Sequence, residues 1–388
     1  MIPVRNWKRA LKKSIAQPGY AYRNFLHRCK STYSYHRLDG LSYWPETISL
    51  FLTYKCNLRC QMCGQWGEKG AFCAYDKDTL TQRLSMDEIQ ALIDDVKFFN
   101  PNITLFGGEP MLYPGWPEVV QRIKAAGLRC NIVTNGTLIR QFASEIIESG
   151  LDEIIFSLDG PEEVHDSIRR VEGTFRRCIE GFRYLQELKK ERNHDGPLIN
   201  INSTLFEFGP GHLEKVIAAA EEIGASGLTF HHLLFLDRET VQRFIGFFQD
   251  KFGQTPSDWL GFVSDELPKI DVEALIRKTK EIRRQKHGID IAFYPNFTGR
   301  EIRQWYTQYP FRSRSYKNRC MSLWMTAYIF PDGTIRPYHS MNFSPGSIRA
   351  QRFTEIWNNT EYCNYRNYIK TNKSFVVCAK GCTEFFRY

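Results

Sequence analysis

Residues Thr47–Cys63 read TISLFLTYKCNLRCQMC, and the fold turns on them. Thr47–Tyr54 is rich in β-branched and apolar residues and reads as a buried strand. Three cysteines follow at once, Cys56, Cys60 and Cys63, in CxxxCxxC spacing. Downstream, Ser85-Met86-Asp87-Glu88 is a capping box that opens a helix running to about Phe99. Strands at Ile103–Phe106, Arg129–Val133, Glu153–Leu158, Leu198–Leu205 and Leu228–Phe235 then alternate with helices at Trp116–Ala126, Leu138–Ser149, Phe175–Arg192 and His212–Ile223. Six βα-type units with short crossovers imply an α/β protein whose parallel sheet is covered by helices. A partial (β/α)6 barrel and an open doubly wound sheet both satisfy the pattern. Strands of this composition are expected to be buried on both faces, and chemistry is expected at their C-terminal ends, where the cysteines lie.

An odd count of eleven cysteines, without a secretion signal at Met1–Arg5, argues against a disulfide framework. Three thiolates on one tight loop can hold three irons of a [4Fe–4S] cluster and leave the fourth iron free for another ligand. A three-cysteine zinc site or reduced structural thiols are the alternatives, although zinc knuckles pair CxxC units and no second pair is near.

Gly107-Gly108-Glu109-Pro110 follows the second strand, Thr134-Asn135-Gly136 the third and Ser157-Leu158-Asp159-Gly160 the fourth; His165-Asp166-Ser167-Ile168-Arg169 comes next. With the cysteine triad, this ordered set over about residues 47–235 resembles the radical S-adenosylmethionine (SAM) superfamily. The resemblance implies that Cys56, Cys60 and Cys63 ligate a [4Fe–4S] cluster whose open iron is chelated by SAM. It also implies that Gly107–Pro110 meets the SAM amino group, that Ser157 and Arg169 are candidates for its carboxylate, and that Asn202 makes polar contacts. Asn135 and Asp159 fall in matching motifs, and Met62 stands where the family usually has an aromatic residue over adenine. Arg169 suits a carboxylate because a guanidinium can engage it bidentately.

Cys320, then Gly333, then Tyr338 resembles the opening of the SPASM/Twitch extension of these enzymes, with Pro331-Asp332-Gly333-Thr334 as a hairpin turn and Arg352–Asn358 as the following helix. Cys378 and Cys382 supply two late thiols. The resemblance implies an auxiliary [4Fe–4S] cluster on Cys320, Cys378 and Cys382. Tyr338 occupies the expected second ligand position, so His339 or Cys363 becomes the candidate fourth ligand; merely buried thiols are the alternative.

Composition bounds the rest. Residues 1–38 hold nine Lys/Arg and no acid, and the remainder is balanced at 43 of each sign. Val4, Trp7, Leu11 and Ile15 form a stripe flanked by Lys8, Arg9, Lys12 and Lys13, a basic amphipathic helix that Pro18-Gly19 is expected to end. It suits a membrane surface, an anionic substrate, or the protein's own body. The expected organisation is an arm at 1–46, the core at 47–235, a helical insertion at 236–290 and a Twitch-like cluster domain at 291–388. No apolar run of 18 residues is present, so a cytoplasmic protein is expected, with peripheral contact at the inner membrane face through the arm. The body's neutrality argues against nucleic acid. The resemblance implies reductive cleavage of SAM to a 5′-deoxyadenosyl radical and hydrogen abstraction from a substrate. An anionic small molecule, carbohydrate or lipid-linked sugar is favoured, and a flavodoxin- or ferredoxin-type protein would be the electron donor. A peptide or protein side-chain maturase is the alternative within the family, and an iron–sulfur or zinc sensor the alternative outside catalysis.

Overall fold

The computed structural model describes residues 18–206 and 210–388. The stripe from Val4 to Ile15 lies outside the described residues. Pro18-Gly19 opens the described helix Pro18–Arg37, and the stretch it was expected to end lies outside the described residues. Proline is tolerated in a first helical turn because the N–H it lacks would have no partner there. This helix docks through its buried Ser31, Ser34 and Tyr35. The Ser31 hydroxyl donates to the Trp324 carbonyl at 2.8 Å, and the Tyr35 ring meets Trp324 edge-on at 4.8 Å.

Strands β1 (Thr47–Thr53), β2 (Asn102–Gly107), β3 (Arg129–Thr134), β4 (Glu153–Ser157), β5 (Leu198–Leu205) and β6 (Gly227–His232) are successive parallel neighbours. Between them run helices Met86–Val96, Trp116–Ala125, Ala143–Glu148, Thr174–Glu191 and Leu213–Glu222. The capping box at Ser85 and Glu88 is formed. The architecture is a partial α/β barrel core with a C-terminal extension. The sheet also grows at both ends. β7 (Asp290–Tyr294) adds parallel to β6, so residue 291, where a new segment was expected, lies inside a core-sheet strand. β8 (Thr326–Ile329) pairs parallel with β1, from Thr47 opposite Thr326 to Leu50 opposite Ile329. β9 (Thr334–Arg336) and β10 (Gly346–Ser347) continue antiparallel, giving a ten-stranded sheet among the described residues. The Pro331–Thr334 hairpin forms as its sequence demands, with Gly333 at φ +81° and Asp332 accepting from the Thr334 N–H at 2.9 Å.

β1 is buried along its whole length, but β2–β6 are not buried on both faces. Ile103, Leu105, Ile132, Ile154, Phe156, Ile201 and Phe230 are buried, whereas the alternating positions Thr104, Val133, Ser157, Asn202, Thr229 and His231 are half-buried. Successive strand side chains point to opposite faces, so one face packs under helices and the other is half-buried, apolar at Phe106, Val133 and Ile155 and polar at Ser157, Asn202, Thr229 and His231. Among the described residues no helix is long and apolar enough to cross a membrane.

Candidate functional site: two cysteine sets flanking a polar barrel face

The loop after β1 holds Cys56, Cys60 and Cys63, with Cys60 buried and the other two half-buried. All three are free thiols. Burial pushes the Cys56 thiol up to about 12 and raises that of Cys60, and the neighbouring cysteines add to both shifts. Two of the sulfurs already accept N–H groups. The Trp66 amide donates to Cys63 Sγ at 3.3 Å and Arg169 Nη1 to Cys60 Sγ at 3.4 Å. The loop is pinned from several sides. The Trp66 indole donates to the Tyr54 carbonyl at 2.6 Å, and Gln61 donates through its amide to Ile168 at 2.9 Å and through Nε2 to Ser167 at 3.0 Å.

Gly107 and Gly108 act on this loop directly. Their amide neighbours bond into it: the Gly108 N–H donates to the Thr53 carbonyl at 2.9 Å and the Glu109 N–H to that of Lys55 at 2.8 Å. A Cβ on Gly107 would come within 2.5 Å of the Thr53 oxygen, and one on Gly108 would collide with the Lys55 carbonyl. The two glycines therefore let the end of β2 lie against the base of the cysteine loop. Buried Glu109 accepts from Thr134 Oγ1 at 2.8 Å, the Asn135 N–H at 2.8 Å and the Met111 N–H at 3.2 Å. Burial raises its carboxyl to about 7, against these three bonds, which favour the charged form. Pro110 opens a buried 3₁₀ turn behind it. Asn135 Nδ2 donates to Asn57 Oδ1 at 2.8 Å, and Asn57 Nδ2 to Thr137 Oγ1 at 2.9 Å. Asn57, between the first two cysteines, is a positioning residue that motif reading passed over; its place inside the CxxxC spacing was the available signal.

Arg169 ends helix Glu162–Arg169 and is buried. Its guanidinium pairs with Asp159, reaches Cys60, and donates to the Ser157 carbonyl at 3.1 Å, while its buried Nε has no partner. Asp159 in turn accepts the Thr204 N–H at 2.8 Å. Ser157 and Asn202 stand opposite each other in the β4–β5 register, on the half-buried face. Met62 is half-buried against the core.

The second set is Cys320, Cys378 and Cys382, all buried. Burial raises the Cys378 and Cys382 thiols, and their mutual proximity and that of Cys320 add to it. Tyr338 stands beside them: its hydroxyl accepts the Thr383 N–H at 3.1 Å and lies 3.5 Å from the Gly381 carbonyl. Neither His339 nor Cys363 hydrogen-bonds to these three sulfurs among the described residues, although the His339 ring lies 3.9 Å from that of Tyr338. His339 Nδ1 pairs with Ser340 Oγ at 2.8 Å, and its ring lies 6.1 Å from Phe106 and 6.4 Å from Phe262, at the core side. Cys363 donates to the Asn358 carbonyl at 3.5 Å, next to Gly40. Glu384, buried two residues past Cys382, raises the thiols of Cys320 and Cys382 and pairs with Arg387 at 3.0 Å; no motif pointed to it.

As the side chains stand, no three His, Cys, Asp or Glu among the described residues are gathered for a metal ion. The donor chemistry nevertheless fits iron–sulfur ligation: two sets of three unpaired thiols, one with sulfurs that already accept N–H bonds, as cluster thiolates do.

Residues 50–205 match the radical SAM superfamily and residues 320–383 an iron–sulfur cluster-binding domain, SPASM. An AdoMet-dependent heme synthase of Methanosarcina barkeri is 26% identical over 327 residues, 82% of this chain and 83% of the relative. A Fe-coproporphyrin III synthase of the same organism is 32% identical over 190 residues, 48% of this chain and 44% of that protein, so the chain spans less than half of that relative. Streptococcus suis SuiB bound to its precursor peptide SuiA shares the fold at TM-score 0.62 and 13% identity, over 95% of this chain and 80% of that one. Cysteine loop, glycine-packed strand end and both matched domains agree: the chain is an enzyme of the radical SAM superfamily with a C-terminal SPASM iron–sulfur cluster-binding domain.

Proposed function

We propose that the chain cleaves SAM reductively at a cluster held by Cys56, Cys60 and Cys63 and abstracts hydrogen from a small polar substrate lying on the half-buried face of β4–β6. The observation that carries this reading is the N–H bonding of Cys60 and Cys63 sulfurs on a loop locked by Gly107, Gly108 and Asn57. Bound together, cluster and SAM supply a carbon radical able to take hydrogen from an unactivated C–H bond. The chain's own residues do the rest. Arg169 holds positive charge against Cys60 and carries one N–H without a partner. Ser157, Asn202, Thr229 and His231 offer hydrogen bonds that orient a ligand and hold its reacting carbon close, where proximity lowers the barrier. Cys320, Cys378 and Cys382 are proposed to hold an auxiliary [4Fe–4S] cluster, and a flavodoxin- or ferredoxin-type protein to supply electrons.

Oxygen-free, reconstituted protein given SAM and dithionite should form 5′-deoxyadenosine, and Cys60→Ala should abolish it. Deuterium transfer into 5′-deoxyadenosine from candidate hydrogen donors identifies the substrate. Zinc at the triad, or a cluster spectrum that SAM leaves unchanged, would overturn the reading.

A further inference from the structure

Beside Cys320 the surface carries a cavity of about 500 Å³ whose charged lining is entirely basic. Arg312, Lys317 and Arg319 come from the segment leading into Cys320, and Lys370 and Lys373 from the end of helix Thr360–Asn372. Tyr35, from helix Pro18–Arg37, completes the wall. No carboxylate lines the cavity, and none of these five cations makes an ion pair among the described residues. Five cations without an ion-pair partner around one hollow form a local positive field.

Two residues that line the hollow adjoin Cys320. Arg319 immediately precedes Cys320 and stands over the Tyr35 ring at 5.0 Å, and the Cys320 N–H donates to the Lys373 carbonyl at 2.8 Å. Tyr35 is 3% exposed, yet its hydroxyl has no hydrogen-bond partner. A buried donor left open at the wall of a cationic hollow is satisfied when an acceptor arrives.

We propose that this basin is where an acidic, low-potential one-electron carrier protein docks to reduce the iron–sulfur centre at Cys320, Cys378 and Cys382. The proposal rests on the reading of those cysteines as cluster ligands. One electron leaves the reduced carrier, which is oxidised, and enters the cluster, which is reduced; no bond is made or broken. A small anion is the less fitting occupant. Held tightly, it needs cations drawn in and desolvated around it, whereas Arg312, Lys317 and Lys373 are exposed and spread over separate segments. Transient electron-transfer partners instead meet over small, charge-steered, wet contacts.

The test uses the full chain, reconstituted without oxygen and assayed for iron and sulfide, with a purified acidic flavodoxin as probe. Stopped-flow absorbance follows cluster reduction by flavodoxin hydroquinone, and anisotropy of labelled, oxidised flavodoxin gives binding. The rate and affinity should fall about tenfold between low and high salt. In Arg312→Glu/Lys317→Glu/Lys370→Glu they should fall at least as far at low salt, and the salt dependence should vanish. Reduction by photoreduced deazaflavin, a neutral agent, should stay unchanged. The single variant Lys370→Gln should give a smaller effect of the same sign, guarding against loss of fold in the triple variant. With about eight iron and sulfide per chain, a carrier rate indifferent to these substitutions overturns the docking site alone. Tight one-to-one binding of tripolyphosphate, with no flavodoxin binding, overturns it in favour of a small-anion site. About four iron and sulfide per chain removes the auxiliary cluster, and the proposal falls with it.

Discussion

Arg169 joins the most functions in the fewest atoms: it neutralises Asp159, donates to the Ser157 carbonyl and supports the Cys60 sulfur. The motif H-D-x-x-R marked Arg169 in the sequence, but its partners were invisible there, because they lie on the strand end and on a loop over a hundred positions upstream. Removing one member of a buried pair leaves an uncompensated charge, which costs about 3–5 kcal/mol. Arg169→Met should therefore lower stability in urea by that order and halve or worse the iron retained at the triad. Arg169→Lys should keep most of the stability, since it keeps the charge, yet still weaken SAM binding severalfold by isothermal titration, since an ammonium cannot serve three partners with a planar fork. Equal SAM affinity in wild type and Arg169→Lys would show that the guanidinium geometry is irrelevant to the ligand. Asn57 teaches the complementary lesson. Nothing in its residue type announced that it ties the cysteine loop to Asn135 and Thr137.

At the scale of elements, helix Gly299–Thr307 anchors the segment that leads into Cys320. Its buried Glu301 closes a capping box with Thr298 and also accepts from Ser313 Oγ at 2.6 Å, the Arg314 N–H at 2.9 Å and the Ser315 N–H at 2.8 Å. Burial alone would raise this carboxyl, but the hydrogen bonds from Ser313, Thr298 and Ser315 win and bring it down to about 2. A carboxyl depressed on folding stabilises above its unfolded value, near 4.5, and loses that contribution as the pH falls toward 2. Glu301→Gln should thus cost about 2–3 kcal/mol at pH 7 and flatten the stability profile between pH 4.5 and 2, measured by denaturant titration across that range. The alternation of strands and helices was legible because each strand is a short apolar run between helical periods. Helix Pro18–Arg37, helix Glu162–Arg169 and strands β7 and β8 were not. The seventh strand, DIAFY, is too short to stand out after a long helical stretch. The half-buried polar positions were written in β5, LININSTL, whose Asn200, Asn202 and Thr204 recur at every second place and contradict burial on both faces.

Across the whole molecule, a buried network fastens three distant stretches together. Asp258 accepts from Tyr75 at 2.8 Å, Arg336 at 3.2 Å and Asn342 at 2.8 Å, while the Arg336 guanidinium lies 3.9 Å over the Phe330 ring. Tyr75 belongs to the segment after the cysteine loop, Asp258 to the stretch after β6, and Arg336 to β9. Arg336→Leu should destabilise by about 3–5 kcal/mol, because it strands the Asp258 carboxylate, and near-ultraviolet circular dichroism should register loosened aromatic packing. Asp258→Asn, which keeps hydrogen-bonding capacity, should cost less; an equal loss would show that the network needs the charge itself.

The pairing of β1 with β8 imposes an order of assembly. Thr47 finds Thr326 only after most of the chain has been synthesised, so the strand that carries the cysteine loop spends that interval with one naked hydrogen-bonding edge. Such edges recruit other strands, and pairings this remote in sequence form slowly. A chain shortened to end at residue 319 should accumulate as sedimentable aggregate even though every radical SAM motif is present in it. Co-expression of residues 320–388 as a separate piece should restore part of it to the supernatant.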